Sequence, residues 1–121
     1  MKVLLIEDNE NITNMMEQYL TLKGYQCTVT RNGRDGLKEI LDKKYDVVLL
    51  DLAMPEFSGY DVIESLEKKQ KLKEQKIIIL TAFSLTEKDM NDLVQRGIRV
   101  CLKKPVQLNE LLKVIRSCTD S

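Results

Sequence analysis

The sequence predicts one α/β domain, residues 1–121, with helices packed on both faces of a parallel five-stranded sheet. Five short apolar runs alternate with five segments of helical spacing, and this alternation is typical of right-handed βαβ units. Three runs are unbroken, as in strands that are buried on both faces. The sequence contains no recognisable repeat, linker or second domain, and 121 residues are enough to bury a core.

The five apolar runs predict the five strands. They comprise residues 3–6, 27–29, 47–50, 77–80 and 98–102. The first, third and fourth runs contain no polar residue and are therefore predicted to be the central strands. The more polar stretch 26–30, around the second run, is predicted to be an edge strand.

The remaining segments each carry one apolar stripe at helical spacing, which predicts core packing against the sheet. The stripes comprise Ile12, Met15, Met16, Tyr19 and Leu20; Leu37, Ile40 and Leu41; Val62, Ile63 and Leu66; Met90, Leu93 and Val94; and Leu108, Leu111, Leu112 and Ile115. Asn9 or Asn11, Ser58 and Thr86 are predicted N-caps, and Gly24 is predicted to end the first helix.

Two connections are polar. Asn32 and Gly33 predict a turn before the second helix, and the charged segment 67–76 predicts a solvated loop and helix end.

Composition excludes several classes of protein and site. Nineteen basic and nineteen acidic residues cancel, so the net charge indicates neither nucleic acid nor an anionic membrane as a partner. No apolar run approaches the ~20 residues of a membrane span, and the N-terminus leaves no room for a signal peptide.

The chain has no histidine, which excludes histidine catalysis and histidine metal ligands. Cys27, Cys101 and Cys118 lack CxxC spacing and indicate reduced thiols in a cytoplasmic protein.

Three carboxylates follow strands that should be neighbours. Glu7 and Asp8 come after the first run, and Asp51 comes after the third. Taken alone, Asp51 could equally be a turn-initiating aspartate or a ligand-binding residue at a strand end. Because parallel strands bring their carboxyl ends to one edge, all three side chains should lie close together, which is costly without a cation. Oxygen ligands without histidine or cysteine suit Mg²⁺.

The same edge should receive a hydroxyl and an ammonium group. Thr81 follows the fourth run, and Lys104 follows the fifth. A carboxylate beside Mg²⁺ can attack a phosphoryl group and form an acyl phosphate, helped by positioning and charge neutralisation. Lys104 would pair with one phosphate oxygen and Thr81 would donate its hydroxyl to another.

With these residues the sequence resembles the receiver domain of two-component response regulators, over essentially the whole chain. Asp51, Met54, Pro55, Ser58 and Gly59 match the family segment D-x-x-M-P-x-x-[DS]-G. The resemblance implies a flavodoxin-like, doubly wound five-stranded parallel sheet of order 2-1-3-4-5 with five helices.

The resemblance also implies roles for single residues. Asp51 would be the phospho-acceptor and Thr81 the switch hydroxyl, while Lys104 would be the lysine before a typically cis proline bond. Mg²⁺ would be held by Asp8 directly, by Glu7 partly through water, by Asp51 and by the backbone carbonyl of Ala53.

The partners that the resemblance implies are a sensor histidine kinase or phosphotransfer protein and an unknown downstream protein. We expect no DNA-binding or enzymatic output domain, no membrane association, and no enzyme activity beyond the domain's own phosphorylation and dephosphorylation. Output would be protein–protein contact, a phosphorelay step or a phosphate sink. The chain would be a monomer or a phosphorylation-dependent dimer, in which Arg96, Arg99, Lys113 and Arg116 with Asp89 and Asp92 either form salt bridges or remain solvated.

One position departs from the family pattern. The aromatic residue that usually stands three residues before the lysine is replaced here by Cys101. We therefore expect the segments around the fourth helix and fifth strand to respond weakly to phosphorylation. Ala53 and Phe83, two residues after Asp51 and Thr81, are both apolar and cannot position an attacking water, so the acyl phosphate should be long-lived.

Two alternatives belong to other functional classes. A phosphorylation-independent interaction module with the same fold would be expected to lose the acceptor, the acid pair or the lysine, and none is lost. A flavin-binding protein of the same fold needs a phosphate-cradling loop after the first strand, where this chain has the acidic Glu7 and Asp8.

Overall fold

A computed structural model describes residues 1–82 and 84–119, in which five parallel strands alternate with five α-helices. The strands are β1 (Lys2–Ile6), β2 (Gln26–Thr30), β3 (Val47–Asp51), β4 (Ile77–Thr81) and β5 (Val100–Lys103). The α-helices are α1 (Glu10–Leu22), α2 (Gly33–Asp42), α3 (Gly59–Lys68), α4 (Glu87–Arg96) and α5 (Leu108–Thr119). A short 3₁₀ helix, Leu72–Glu74, precedes β4.

The sheet has the order β2-β1-β3-β4-β5, and every neighbouring pair is parallel. This confirms the predicted fold, with the three unbroken apolar runs in the centre and the polar second run at an edge. All residues of β3 and β4 are buried. The sheet therefore carries helices on both faces, as a parallel sheet requires.

The core lies in two layers because successive strand residues point to opposite faces. One layer joins Leu4, Ile6, Val48, Leu50, Ile77 and Ile79 to apolar residues of α2, α3 and α4. The other joins Val3, Leu5, Val47, Leu49, Ile78 and Leu80 to those of α1 and α5. The sheet is thus supported on both faces by buried apolar residues.

Local sequence signals set the helix ends as predicted. Asn9 rather than Asn11 caps α1 by accepting a hydrogen bond from the backbone N–H of Ile12. Ser58 and Thr86 each form a capping box at the start of α3 and α4. Gly24 follows α1 with a φ of 93°, which favours glycine.

Three predicted stripe residues are exposed rather than buried in the core. Met15, Leu41 and Val94 are 47%, 36% and 45% exposed. In α1 the buried residues are Thr13, Met16 and Leu20, which repeat at i, i+3 and i+7. Thr13 can lie in the core because its hydroxyl donates to the carbonyl of Glu10, 3.0 Å away.

The last strand begins later than predicted. β5 starts at Val100, whereas the apolar run starts at Ile98. The backbone N–H of Ile98 donates to the carbonyl of Leu93 at 3.1 Å, so Ile98 belongs to the turn that closes α4. The side chain of Ile98 is nevertheless part of the core.

The expectation that segment 67–76 is only a solvated connection is wrong. Leu72 is buried in the core beside α3 and α4, and Glu67 forms an ion pair with Arg96. A single apolar residue among lysines carries no periodicity, which explains why the pattern did not reveal this contact.

The three cysteines are free thiols, as predicted. Burial raises the pKa of Cys27 to about 11 and also raises the pKa of Cys101, which keeps both thiols protonated at neutral pH. Among the described residues, no helix combines the length and the apolar character needed to span a membrane.

Candidate functional site

The predicted site residues meet at the carboxyl edge of the sheet. Glu7 follows β1, Asp51 ends β3, Thr81 ends β4 and Lys104 follows β5. The register of the strands aligns these positions along the edge of the sheet: Asp51 of β3 pairs with Leu80 of β4, and Thr81 of β4 pairs with Lys103 of β5. The topology alone thus brings together side chains that are up to 97 residues apart in the chain.

Three carboxylates form the acidic part of the site. Glu7 and Asp51 are 1% and 3% exposed, while Asp8 lies open to solvent. One carboxylate oxygen of each residue lies within 4.8 Å of those of the other two. Partial burial raises the pKa of Asp8, and so does the neighbouring carboxyl group of Glu7. Such a set of oxygen ligands is suited to a hard divalent cation.

Lys104 supplies the positive charge of the site. Its Nζ donates to Oε1 of the buried Glu7 and lies 3.5 Å from Oδ2 of Asp51. Its backbone N–H donates to the carbonyl of Thr81 at 2.8 Å, and its peptide bond to Pro105 is cis. The ammonium group therefore bridges two buried carboxylates. Sequence reasoning located Lys104 but missed Glu7 as its ion-pair partner.

Asp51 is held from two sides. The backbone N–H of Ala53 donates to its Oδ1 at 3.2 Å. On the other side, Gly59 packs so closely that an added Cβ would lie 2.4 Å from the carbonyl oxygen of Asp51 and 2.7 Å from Cα of Leu52. Only glycine fits there, so the first turn of α3 rests directly on the backbone of Asp51.

The loop after Asp51 is also supported by α2, a contact that the sequence did not reveal. The guanidinium group of Arg34 lies over the ring of Phe57, 4.7 Å from its centroid. A Cβ on Gly33 would lie 2.3 Å from the carbonyl oxygen of Phe57. Asn32, predicted as part of a turn, caps α2 and so fixes this approach.

The remaining predicted positions are placed as follows. Thr81 is 1% exposed, Ala53 is exposed, and Cys101 is half-buried against the α2–α4 side of the core. Phe83, paired with Ala53 in the prediction about hydrolysis, lies outside the described residues.

Comparison with protein families finds a match to the response regulator receiver domain over residues 3–116. Among curated relatives, the polar-differentiation response regulator DivK of Brucella anthropi is 29% identical over 115 residues, covering 95% of this chain and 93% of DivK. The transcriptional regulatory protein DltR of Streptococcus agalactiae is 37% identical over 116 residues, covering 96% of this chain and 50% of DltR. Hybrid signal transduction histidine kinase G of Dictyostelium discoideum is 31% identical over 95% of this chain, which spans only 3% of that kinase.

Solved structures show the same architecture. A receiver domain of a Francisella response regulator superposes with a TM-score of 0.89 at 25% identity, covering 98% of this chain and 96% of that one. The response regulator TrrA of Thermotoga maritima, solved in complex with Mg²⁺ and BeF, has a TM-score of 0.81 at 30% identity, with 97% of each chain covered.

Proposed function

Because the chain belongs to the response regulator receiver domain family, we propose that Asp51 accepts a phosphoryl group from the phosphohistidine of a sensor histidine kinase or phosphotransfer protein. Receiver domains are signalling modules rather than classical enzymes. The observation that carries the proposal is the cluster of Glu7, Asp8 and Asp51 with ligand oxygens within 4.8 Å of one another, beside the ammonium group of Lys104.

Asp51 is the nucleophile in this proposal. A carboxylate oxygen of Asp51 attacks the phosphorus, the nitrogen–phosphorus bond breaks, and the imidazole leaves with the electron pair of that bond. The product is an acyl phosphate on Asp51. The Ala53 N–H donates to Oδ1, which leaves Oδ2, 3.5 Å from the Lys104 ammonium group, as the oxygen that would attack.

The donor set fits Mg²⁺. The carboxylates of Glu7, Asp8 and Asp51 and the backbone carbonyl of Ala53 would hold it, and all four offer oxygen, as this ion prefers. When bound, Mg²⁺ neutralises negative charge on the carboxylates and on the phosphoryl oxygens. Like charges this close otherwise repel, and the neighbouring Glu7 adds to the desolvation that raises the pKa of Asp8.

Lys104 and Thr81 orient the phosphoryl group in the proposal. The Lys104 ammonium lies 3.5 Å from Oδ2 of Asp51, within reach of an oxygen on a group attached there. Its bond to Glu7 positions it without neutralising the whole site, because three carboxylates surround one ammonium group. Thr81, at the end of the neighbouring strand, would donate its hydroxyl to a second phosphoryl oxygen.

The output that we propose is a change in protein–protein contacts, with the chain a monomer or a phosphorylation-dependent dimer in the cytoplasm. One charge proposed for a dimer contact is already used within the chain, since Arg96 pairs with Glu67.

The test is the intact mass of the protein after incubation with acetyl phosphate, with and without Mg²⁺. We expect a Mg²⁺-dependent gain of one phosphoryl group in the wild type and no gain in Asp51→Asn. Asp46→Asn is a matched control, because Asp46 directly precedes β3, at the end opposite Asp51, and accepts a hydrogen bond from the Lys2 backbone N–H at 2.7 Å.

A wild type that gains no mass would contradict the proposal and favour the phosphorylation-independent interaction module. A gain that persists in Asp51→Asn would show that a different residue accepts the group.

A further inference from the structure

The segment between Asp51 and α3 contains a strained turn. The backbone N–H of Phe57 donates to the carbonyl of Pro55 at 2.7 Å, and Glu56 between them has a φ of 67°. A hydrogen bond between residues two apart, around a positive φ, is typical of the rarer and strained kind of γ-turn. Residues with a side chain seldom adopt this conformation, so such a turn persists only where surrounding contacts hold it.

This turn lies between the two contacts that hold Asp51. Before the turn, the backbone N–H of Ala53 donates to Oδ1 of Asp51 at 3.2 Å. After the turn, Gly59 packs on the carbonyl oxygen of Asp51, where an added Cβ would lie 2.4 Å away. A relaxed turn would change the path of the chain between these two contacts, and Asp51 and Ala53 would lose part of the support for their oxygen ligands.

Helix α2 holds the turn through Phe57. The guanidinium group of Arg34 lies over the ring of Phe57, 4.7 Å from its centroid. A Cβ on Gly33 would lie 2.3 Å from the carbonyl oxygen of Phe57 and 2.9 Å from its Cδ1. The ring also packs against the core layer that contains Leu52 and Met54. Phe57 therefore contacts both the core and the exposed cation of Arg34.

We propose that Arg34 is a positioning residue for the candidate cation site. By stacking on Phe57 it holds the turn at Glu56, and thereby keeps residues 51–59 in the conformation that binds Mg²⁺. Arg34 itself touches neither the cation nor the phosphoryl group. The proposal rests on the proposed function of Asp51 and adds a residue outside the acidic cluster to it.

The sign of the effect separates positioning from simple electrostatics. Arg34 lies in the first turn of α2, which begins at the carboxyl edge of the sheet, as the acidic cluster does. Removal of its positive charge alone should strengthen cation binding by Coulomb's law, whereas loss of positioning should weaken it. We expect Arg34→Met to raise the Kd for Mg²⁺ by about two- to fivefold, the factor that corresponds to an exposed cation–π contact.

The Kd is measured from the melting temperature as a function of Mg²⁺ concentration, and the value in EDTA reports the stability of the metal-free fold separately. Lys38→Met is the matched control for charge, because Lys38 is exposed one turn later in α2. Lys23→Met is the control for a cation–ring contact, because Lys23 lies 5.6 Å from the ring centroid of Tyr19 at the far end of α1. Neither control should raise the Kd.

A second substitution tests the turn directly. Glycine adopts a positive φ without strain, so Glu56→Gly in the Arg34→Met background should return the Kd towards the wild-type value. Glu56→Gln in the same background removes the same charge and keeps the strain, and should leave the Kd raised. In Arg34→Met, the rate of phosphorylation by acetyl phosphate should be lower at limiting Mg²⁺ and equal to that of the wild type at saturating Mg²⁺.

The outcomes are distinguishable. A wild type that binds Mg²⁺, with an Arg34→Met variant that binds it equally or more tightly, would overturn the positioning role and leave the proposed function intact. Equal effects of Glu56→Gly and Glu56→Gln would overturn the turn as the link between Arg34 and the site. A wild type that neither responds to Mg²⁺ nor gains a phosphoryl group would overturn the proposed function of Asp51 and the positioning role with it.

Discussion

The side chain of Ala53 is expected to affect the rate at which the acyl phosphate on Asp51 hydrolyses. Ala53 is exposed and stands two residues after Asp51, the proposed acceptor, and its side chain carries no polar atom that could hold a water molecule in line with the phosphorus. We predict a long-lived acyl phosphate in the wild type. In Ala53→Glu, hydrolysis should accelerate on the order of tenfold, below the ~10² of a fully placed general base. The measurement is loss of the phosphoryl mass over time in Mg²⁺ after removal of acetyl phosphate.

The control for Ala53 is a substitution to another apolar residue, Ala53→Val, which should decay at the wild-type rate. A half-life of seconds in the wild type would contradict the prediction, since it would require a water-positioning group elsewhere in the site.

At the residue scale, sequence order alone does not predict pairing within the acidic cluster. The pattern placed Glu7, Asp8 and Lys104 at one edge, because each follows a strand. It could not show that Glu7 is the buried member and Asp8 the exposed one. That difference arises from the side-chain directions at the strand end, where Glu7 points into the protein and bonds to Lys104.

At the scale of elements, Gly59 fixes the position of α3 against β3. A methyl group at this position would lie 2.4 Å from a backbone oxygen, and backbone atoms cannot move aside as a side-chain end can. We predict that Gly59→Ala lowers the free energy of unfolding by about 1–3 kcal/mol and reduces phosphorylation of Asp51. Urea unfolding and the acetyl phosphate mass gain measure the two effects.

Ser65→Ala is the control for the glycine substitution, because it alters the same helix without touching β3. Its hydroxyl donates to the Asp61 carbonyl, 2.8 Å away. If Gly59→Ala were as stable and as readily phosphorylated as this control, the close contact would not constrain Asp51.

The ion pair between α3 and α4 has a pH dependence that follows from Glu67. The hydrogen bonds from Arg96 lower the pKa of Glu67 below its usual 4.5. A lowered carboxylate pKa stabilises the folded state at neutral pH, and this contribution is lost as the pH falls below 4.5 and through the folded-state pKa. Both side chains are about one-third exposed, so solvent screens the pair and limits its contribution to about 0.5–1 kcal/mol.

We therefore predict that Arg96→Gln lowers the free energy of unfolding at pH 7 by this amount, and that its difference from the wild type disappears at acidic pH. Lys68→Gln is the control, since Lys68 pairs with Glu64 on the exposed face of α3 and should change stability less. A difference between Arg96→Gln and the wild type that stays constant from pH 7 down to pH 3 would contradict this account.

The elements themselves were largely predictable, and the exceptions share one cause. Strand positions and the caps at Ser58 and Thr86 follow from local patterns that a few neighbouring residues determine. The burial of Leu72 and the late start of β5 do not, because each depends on contacts between elements. A short polar segment carries no periodicity from which such a contact can be inferred.

At the scale of the whole molecule, the fold creates the candidate site and also the repulsion between its carboxylates. The order β2-β1-β3-β4-β5 makes β1 and β3 neighbours, and so it places the acid pair beside Asp51. This proximity was predictable from the parallel topology, which fixes where strand ends converge. The compensating contact with Lys104 was not, because it depends on how the chain turns after β5.

We predict that the charge of Asp8 destabilises the folded protein without metal and favours the binding of Mg²⁺. Partial desolvation and the nearby Glu7 raise the pKa of Asp8, so its negative charge is unfavourable in the folded protein without a cation. Asp8→Asn removes this repulsion and should raise the free energy of unfolding in EDTA. The gain should be at most about 1 kcal/mol, because Asp8 is exposed and water screens its charge.

Mg²⁺ should reverse the order of the two proteins. A cation that binds only the folded state stabilises it in proportion to RT ln(1 + [Mg²⁺]/Kd), and Asp8→Asn loses one of the three carboxylates that would hold it. We expect added Mg²⁺ to raise the melting temperature of the wild type and to leave that of Asp8→Asn nearly unchanged. Glu64→Gln, which removes an exposed carboxylate of α3, should respond to Mg²⁺ like the wild type.

Equal responses of the wild type and Asp8→Asn to Mg²⁺ would show that Asp8 is not a ligand. If instead the wild type is less stable than Asp8→Asn in EDTA but more stable in Mg²⁺, the order of stability depends on the cation. The three carboxylates would then be arranged to bind the cation, at the expense of the stability of the metal-free protein.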